Sequence, residues 1–394
     1  MQARGLPTLF EENLSESRAD RVQQTFEPKP KKASIKACLR AGDDKLKCSG
    51  KIIHAHSIQR GKILESIADI SGENEGKIYH LGLVPAENMQ SMQPEFKLQG
   101  IKKFSTFTGF CGGHDKAIFQ PIEDVAFSAT NKQLNIYAYR AAAKELHSNL
   151  ELKALCEVLL GDKLNVDDFP AHFQMMLPQI KSGKYEVPDF IREAMLQGEK
   201  NHQIRVQHMQ CEHNISELQQ ICDELTDTIE REEPLGFEHV YHVLDGAFPV
   251  ACCASFIPYF DHDGSRIISK QEGQRMARSS AASNAEKKNV MLNVFPEGDK
   301  THVIFTFSKG NQSFKASIER LLKLEDEALK IGLSNIVLNY VGNSAYGPKY
   351  INDNFSPEQI KHIAEVFAVS VFDSSKFRKS GINLFVGRPT AATK

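Results

Sequence analysis

The fold of the N-terminal part of this chain depends on one stretch of sequence, Thr106-Phe107-Thr108-Gly109-Phe110-Cys111-Gly112-Gly113-His114-Asp115. Its first five residues are mostly β-branched or aromatic, a composition typical of a strand. The two glycines between Cys111 and His114 permit the tight backbone turn of a zinc knuckle, and the residues that follow suit a short helix. The stretch therefore predicts a strand, a pair of metal ligands and a helix in direct succession.

A second pair of ligand-type residues lies upstream, where Cys38 and Cys48 bracket a polar turn of nine residues. Together, Cys38, Cys48, Cys111 and His114 supply the four sulfur and nitrogen ligands that a tetrahedral zinc ion prefers. The alternative is that the two upstream cysteines are small core residues and that Cys111 and His114 merely lie close in sequence. The surroundings are rich in glycine and lysine, so a metal would replace a missing core. We therefore expect one structural zinc ion.

Two histidines lie between these pairs of cysteines, in the segment His54-Ala55-His56. Since alternate side chains of a strand share a face, both imidazoles are expected to point the same way. They are either a general base with a neighbouring metal ligand or a pair of surface histidines. Their position between the two pairs of zinc ligands favours the catalytic interpretation.

This order of features resembles the treble-clef HNH (ββα-metal) endonucleases over residues 34–124. In that family a strand histidine polarises the attacking water, and a divalent metal stabilises the scissile phosphate. The resemblance leaves two assignments open: either His56 is the general base or a metal ligand and Ser57 replaces the family's second histidine, or the pair of base and metal ligand is split between His54 and His56. It also implies that Asp115 holds a catalytic Mg or Mn ion. The chain departs from the family pattern in a stretched first knuckle and in residues 105–109, which lack the expected asparagine.

The resemblance implies hydrolysis of phosphodiester bonds in DNA. A nuclease joined to a large unrelated module is also similar in architecture to effectors of bacterial antiphage defence, which is an analogy of architecture alone. The missing asparagine and the stretched ligand spacing favour a second function, a non-catalytic zinc-containing module that binds nucleic acid or a protein. Residues 29–116 contain 15 Lys and Arg against 9 Asp and Glu, a net charge of +6 that suits contacts with phosphate.

Residues 125–235 are predicted to be a helical region, with helix formers dominating residues 131–160. In a second helical stretch that Pro234 stops, apolar, thiol and imidazole side chains recur at alternating steps of four and three residues. This coiled-coil-like seam over residues 204–229 predicts either contact with a second copy or a partner protein, or an intramolecular hairpin with the 131–160 helix. The seam consists of Ile204, His208, Cys211, Ile215, Leu218, Cys222, Leu225 and Ile229.

Residues 236–394 alternate strand-like and helical patterns, which predicts an α+β domain with antiparallel strands. Pro296-Glu297-Gly298-Asp299-Lys300 is expected to be a hairpin turn between two of these strands. A helix is expected to begin at Ser356-Pro357-Glu358. The remaining predictions are strands over 240–244, 250–256, 290–295, 303–307, 335–340 and 382–386, and one helix over 313–331.

The whole chain is predicted to be a multidomain α+β protein, because 394 residues exceed the ~150 residues typical of one domain. Residues 1–33 are expected to form a polar arm or linker ahead of the zinc module. The composition, 41% hydrophobic and 25% charged, is typical of soluble globular proteins and argues against wholesale disorder. The overall charge of −2 by itself indicates no particular partner.

Eight cysteines are expected to be thiols or metal ligands in a reducing cytoplasm, because no apolar leader is visible. No membrane contact is expected, since the longest mostly apolar run, about 15 residues, is shorter than the roughly 20 that a span requires. Five cysteines lie in apolar runs or on the seam, where core packing is the expected role: Cys156, Cys211, Cys222, Cys252 and Cys253.

Overall fold

The computed structural model describes residues 33–42, 46–85, 92–161, 171–232, 235–278, 287–372 and 376–387. The predicted arm over residues 1–33 lies outside these ranges apart from Ala33, and so does Pro234. Within the described residues, the chain is an α+β protein with ten α-helices and two antiparallel sheets. The predicted fold class is confirmed at this level.

A strand, a ligand pair and a helix follow one another in the N-terminal part, as the sequence predicts. The order is β1 (Ile52–His56), a π-helical turn (Arg60–Leu64), α1 (Glu65–Ile67), β2 (Lys77–Pro85), β3 (Met92–Gly100), β4 (Thr106–Cys111) and α2 (Gly112–Glu123). Strands β1 and β4 pair antiparallel, so that Ile52 lies opposite Cys111 and His56 lies opposite Thr106. The two strands and α2 therefore form a ββα unit, with β2 and β3 as an insertion between its strands.

A β-bulge in β4 shapes this unit. Thr108 and Gly109 together lie opposite His54, because the pairing passes from Phe110 to Phe107 while β1 advances by two residues. A Cβ atom at Gly109 would lie 2.7 Å from the Phe107 ring, so the bulge requires glycine here. The freed carbonyl of Gly109 accepts a hydrogen bond from the amide of Leu39 at 2.9 Å. The bulge thereby ties the segment that carries Cys38 to the ββα unit.

Three helices follow: α3 (Asn131–Leu160), α4 (Ala171–Lys181) and α5 (Asp189–Arg231). Helices α3 and α5 lie antiparallel, since Lys132 pairs with Glu232 at 2.7 Å near one end and Asn214 donates to Asn149 at 3.2 Å further along. The predicted helix over residues 131–160 is confirmed to the residue.

The coiled-coil-like seam of α5 packs within the chain. Leu218, Cys222 and Leu225 are buried in one apolar cluster with Ala138 and Leu146 of α3. Of the two interpretations of the seam, the structure therefore shows the intramolecular hairpin. Self-association or partner binding through residues 204–229 stays a prediction.

The larger sheet has seven strands in the order β3-β2-β9-β6-β7-β8-β5. Its further members are β5 (Phe237–Asp245), β6 (Val250–Phe256), β7 (Val290–Glu297), β8 (Lys300–Ser308) and β9 (Ser344–Tyr346). The turn between β7 and β8 contains Gly298 at a φ of 64°, in agreement with the predicted hairpin. Strands β2 and β3 come from residues 77–100, so the insertion in the ββα unit completes a sheet built mainly from residues 237–346. The proposed domain boundaries at residues 33, 124 and 235 stay predictions.

Both faces of this sheet are covered, because its side chains alternate between two apolar clusters. Ala251 and Cys253 of β6 face the cluster that includes α3 and α5. Val250 and Cys252 face the opposite cluster. The latter is completed by helices of the C-terminal part, which are α7 (Gln312–Leu321), α8 (Asp326–Tyr340), α9 (Pro348–Asn354) and α10 (Pro357–Phe372), whereas α6 (Lys270–Arg278) packs near α5.

Three secondary-structure predictions in this part are wrong. Residues 335–340 form the end of α8 and not a strand, because the successive apolar residues Ile336, Val337 and Leu338 are all buried in a helix that is enclosed on several sides. The predicted single helix over residues 313–331 is broken into α7 and α8. Residues 382–386 form no strand. In place of a neighbouring strand, the Tyr350 hydroxyl accepts a hydrogen bond from the amide of Val386 and shares its proton between the carbonyls of Leu384 and Val386.

Candidate metal centre and the adjoining histidine site

Four predicted zinc ligands gather at the junction of β4 and α2, and we call this group the zinc-ligand cluster. One ligand atom from each of Cys38, Cys48, Cys111 and His114 lies within 4.8 Å of all the others. A tetrahedral zinc ion with zinc–sulfur bonds of about 2.3 Å separates its ligand atoms by roughly 3.8 Å, so this spacing fits such an ion. Cys111 and His114 are buried, whereas Cys38 and Cys48 are half-buried.

The knuckle is held by the start of α2. Cys111 is the residue that caps the helix, and its Sγ accepts a hydrogen bond from the backbone amide of His114 at 3.5 Å. The amide of Cys111 in turn donates to Sγ of Cys38 at 3.4 Å. These bonds point donors at two sulfur atoms, which favours the thiolate form that binds metal.

The ring of His114 is oriented by a backbone carbonyl. Its Nε2 lies 2.9 Å from the oxygen of Leu46, which makes Nε2 the protonated donor and Nδ1 the unprotonated nitrogen. That Nδ1 lies 3.3 Å from Sγ of Cys38 and 3.2 Å from Sγ of Cys111. A carbonyl that fixes the tautomer of a ligating histidine is a regular feature of metal sites.

Two of the thiols differ in acidity. Although burial opposes ionisation, hydrogen bonds from Ser49 and from the amide of His114 lower the pKa of Cys111 to about 5. Burial raises the pKa of Cys38 to about 11. Three sulfur atoms and one imidazole nitrogen are the ligands that zinc prefers, and a bound cation would stabilise both thiolates. The cluster therefore fits one metal ion of this kind.

The other five cysteines are core residues, as predicted. All five are buried and reduced: Cys156, Cys211, Cys222, Cys252 and Cys253. Burial raises the pKa of Cys211 to about 12, and it also raises the pKa of Cys222 and Cys252. Such thiols are inert at neutral pH and serve as small apolar side chains.

His56 lies at the end of β1, half-buried, with one ring nitrogen engaged. Its Nε2 lies 3.2 Å from the carbonyl oxygen of Ile101, so Nε2 carries the proton and Nδ1 is an acceptor. Partial burial lowers the pKa of His56, against the effect of this hydrogen bond, and the positive charges of Arg60 and Arg140 lower it further. The imidazole is therefore neutral at pH 7 and able to accept a proton at Nδ1.

His54 has a different environment from His56. It is exposed and lies opposite the bulge formed by Thr108 and Gly109. The extra residue of the bulge belongs to β4, and β1 itself alternates, since Ala55 is buried whereas His54 is exposed and His56 is half-buried.

Asp115 lies in the first turn of α2, beside the predicted zinc ligand His114. It is half-buried, and burial raises its pKa to about 6, although the charge of Arg140 acts in the opposite direction. In the part of the chain that the structure describes, the four predicted zinc ligands are the one place where three or more such groups meet. Asp115, His54 and His56 therefore do not form a second three-ligand cluster.

An ion pair that the sequence did not predict acts on these residues. Arg140 of α3 donates from Nη2 to Oε1 of Glu123 at 2.5 Å, and its guanidinium lies 4.1 Å from the centre of the Phe119 ring. The charges of Arg140 and Glu123 both act on His56 and on Asp115. The signal in the sequence is a single arginine within the apolar run of residues 136–143, which requires a buried partner.

No protein-family model, curated protein or solved structure matches this chain. Among the described residues, none of the helices has both the length and the apolar character needed to cross a lipid bilayer.

Proposed function

We propose that the chain is a zinc-stabilised, HNH-like endonuclease that hydrolyses phosphodiester bonds in DNA. The observation that carries this proposal is the state of His56, a neutral imidazole with Nε2 bound to a carbonyl and Nδ1 left as an acceptor. A general base must be unprotonated at the working pH and must present a ring nitrogen that accepts the proton, and this state of His56 meets both requirements. A role in antiphage defence and a cytoplasmic location stay predictions.

The zinc-ligand cluster supports the proposal by giving the ββα unit a rigid base. Cys111 ends β4, and His56 lies opposite Thr106 at the start of the same strand. A metal ion at Cys111 would therefore stabilise the strand against which the base is placed. Zinc has a structural role in this proposal, separate from the reaction.

The proposed reaction uses His56 as the proton acceptor. Nδ1 of His56 takes a proton from water while the water oxygen bonds to phosphorus, and the bond from phosphorus to the leaving oxygen breaks. The leaving oxygen takes its proton from solvent. A Mg or Mn ion held by the carboxylate of Asp115 would supply positive charge that stabilises the phosphate.

Exposed positive side chains support nucleic acid as the substrate class. They lie at both ends of β1 and on α2, so they surround the strand that carries His56. Such side chains contact phosphate without regard to base sequence. The exposed residues of this group are Lys51, Arg60, Lys62, Lys102 and Lys116.

A zinc-containing module that binds nucleic acid or a protein without cutting is the second candidate. One observation favours it: within the described residues, Asp115 shares no three-ligand cluster with His54 or His56. A binding module needs the zinc site and the positive surface but not the base.

Incubation of plasmid DNA with the protein and Mg or Mn, with and without chelator, tests the proposal. We expect metal-dependent nicking that His56→Ala reduces by ~10²-fold to 10⁴-fold. His54→Ala is the matched control, because it removes an exposed imidazole from the same strand. Asp115→Ala is expected to raise the metal requirement or abolish cleavage. Retention of DNA in a gel shift without any cleavage would support the second candidate instead.

A further inference from the structure

A large cleft lies between the α3–α5 hairpin and the C-terminal part of the chain, with a volume of about 760 Å³. Its walls include Ser105 and Thr106, Lys144 of α3, His213 of α5 and Tyr340 of α8. Sites for small molecules typically measure about 300 to 1,000 Å³. The cleft is separate from the zinc-ligand cluster, since none of the four zinc ligands lines it.

Basic side chains outnumber acids on these walls. Lys103 and Lys144 line the cleft, and among the described residues Glu145 is the one acid that does so. His80 also lies on the wall, but burial lowers its pKa, so it adds no positive charge at pH 7. Oε1 of Glu145 accepts a hydrogen bond from Asn149 at 2.9 Å, so this carboxylate is already engaged. The balance of charge favours an anionic ligand.

His213 of α5 lies on the wall of the cleft and is 9% exposed. Its Nδ1 makes no hydrogen bond within the described part of the chain, but that atom is closed to solvent, so a ligand in the cleft would meet other atoms of the ring. As a donor, the imidazole suits a phosphate oxygen.

Aromatic side chains also line the cleft. The rings of Phe256 and Tyr340 stack at 4.9 Å with an angle of 3° between their planes, and both residues line the wall. Tyr259 and Phe104 are further aromatic residues on it. Aromatic faces of this kind bind planar rings, and stacking with a nucleic acid base contributes about 1–3 kcal/mol.

We propose that this cleft binds a nucleotide, with its phosphate held by His213 and the lysines and its base held against the aromatic wall. The volume, the lysines and the aromatic side chains meet in one place, and a nucleotide matches all three. This site goes beyond the proposed nuclease activity and does not depend on it. Its test is a binding measurement, so it can fail or succeed whether or not the protein cuts DNA.

Calorimetric titration of the full chain with ATP, AMP and inorganic phosphate tests the proposal. We expect ATP or AMP to bind, and His213→Ala and Lys144→Gln each to weaken binding at least tenfold. His208→Ala is the matched control, because His208 lies on the same helix, outside the cleft and paired with Glu157 at 3.3 Å. It should leave nucleotide affinity unchanged.

Photocrosslinking of the unmodified protein with an azido-adenine nucleotide gives a readout that does not depend on variants. We expect labelled peptides from residues 203–220, 251–260 or 339–343. Absence of nucleotide binding, equal affinity for inorganic phosphate and nucleotide, or labelling confined to other segments would each overturn the proposal. Binding of single-stranded oligonucleotides alone would overturn it too and would assign the cleft to the path of a nucleic acid strand.

Discussion

Arg140 and Glu123 form an ion pair in which the arginine is almost fully enclosed. The arginine side chain is 1% exposed and the glutamate side chain is 34% exposed, with 2.5 Å between Nη2 and Oε1. Within the described residues, Nε and Nη1 of Arg140 make no hydrogen bond. The pair joins α2, which begins at the zinc knuckle, to α3 of the helical hairpin. The pair therefore connects the ββα unit to the rest of the protein, and Glu123 supplies the negative charge in it.

Glu123→Gln is therefore expected to destabilise the protein by about 1–3 kcal/mol, because it leaves the Arg140 charge without its counter-ion. Partial exposure of Glu123 keeps the loss below that for a fully buried pair. Urea denaturation measures the change. Asp245→Asn, which removes an exposed partner of Lys300, is the control and should leave the midpoint unchanged. Equal midpoints for all three proteins would show that the Arg140 charge is solvated.

The zinc-ligand cluster predicts about one zinc ion per chain, measured by elemental analysis of purified protein. Cys111→Ser should lose the metal and unfold the N-terminal region, because a structural zinc site contributes directly to folding. Cys252→Ala is the matched control, since it removes a buried thiol from the large sheet and should retain zinc. Well-folded, soluble protein without zinc would contradict the assignment of the cluster.

The buried residue His239 predicts how the free energy of unfolding depends on pH. His239 is flanked by Thr306 Oγ1 and Asn135 Oδ1, each at 2.8 Å, and burial lowers its pKa to about 4. The folded state thus binds fewer protons than the unfolded state between pH 6.5 and about 4. Stability from this residue is fully present above pH 6.5 and is lost as the pH falls through this window.

Over that window the free energy of unfolding falls by up to about 3 kcal/mol, because each unit of difference between the folded and unfolded pKa contributes ~1.4 kcal/mol. Chemical denaturation at pH 7, 6, 5 and 4 measures it. His239→Gln should be less stable at pH 7 but should show a flatter pH dependence than the unmodified protein. His54→Ala, at an exposed site, should retain the full slope. An unchanged slope in His239→Gln would assign the acid sensitivity to other groups.

The packing of the α5 seam predicts the effect of shortening its apolar side chains. Leu225 is fully buried against the hairpin, so Leu225→Ala should cost about 2–5 kcal/mol. Met209→Ala, at a residue 38% exposed on the same helix, should have little effect. Thermal unfolding measures both changes at two protein concentrations. A loss in Leu225→Ala that depends on protein concentration would indicate that the seam also contacts a second copy.

Several features of the fold were predictable because their causes are local. The helix over residues 131–160 follows from helix formers at regular spacing, and α10 begins where Ser356 and Pro357 predict it. The strand, knuckle and helix around Cys111 follow from β-branched residues and two glycines within ten positions. Each of these signals lies within one element and needs no distant contact.

Other features depend on contacts between distant parts of the chain. The run at residues 335–340 has the composition of a strand, but enclosure of α8 on several sides makes the same apolar residues suitable for a buried helix. The seam of α5 is equally compatible with a second copy, and packing against α3 selects the hairpin. Periodicity shows which side chains are buried but not which partner buries them.

The candidate sites divide in the same way. The sequence by itself predicted the four candidate metal ligands, since cysteine and histidine at knuckle spacing have few other uses in such polar surroundings. Only the tertiary structure separated His56 from His54, because the Ile101 carbonyl that engages the His56 ring lies 45 residues away along the chain. The ion pair of Arg140 and the cleft beside His213 were likewise visible only in the tertiary structure. A charge, a tautomer and a cavity are defined by neighbours in space, and a single sequence does not specify those neighbours.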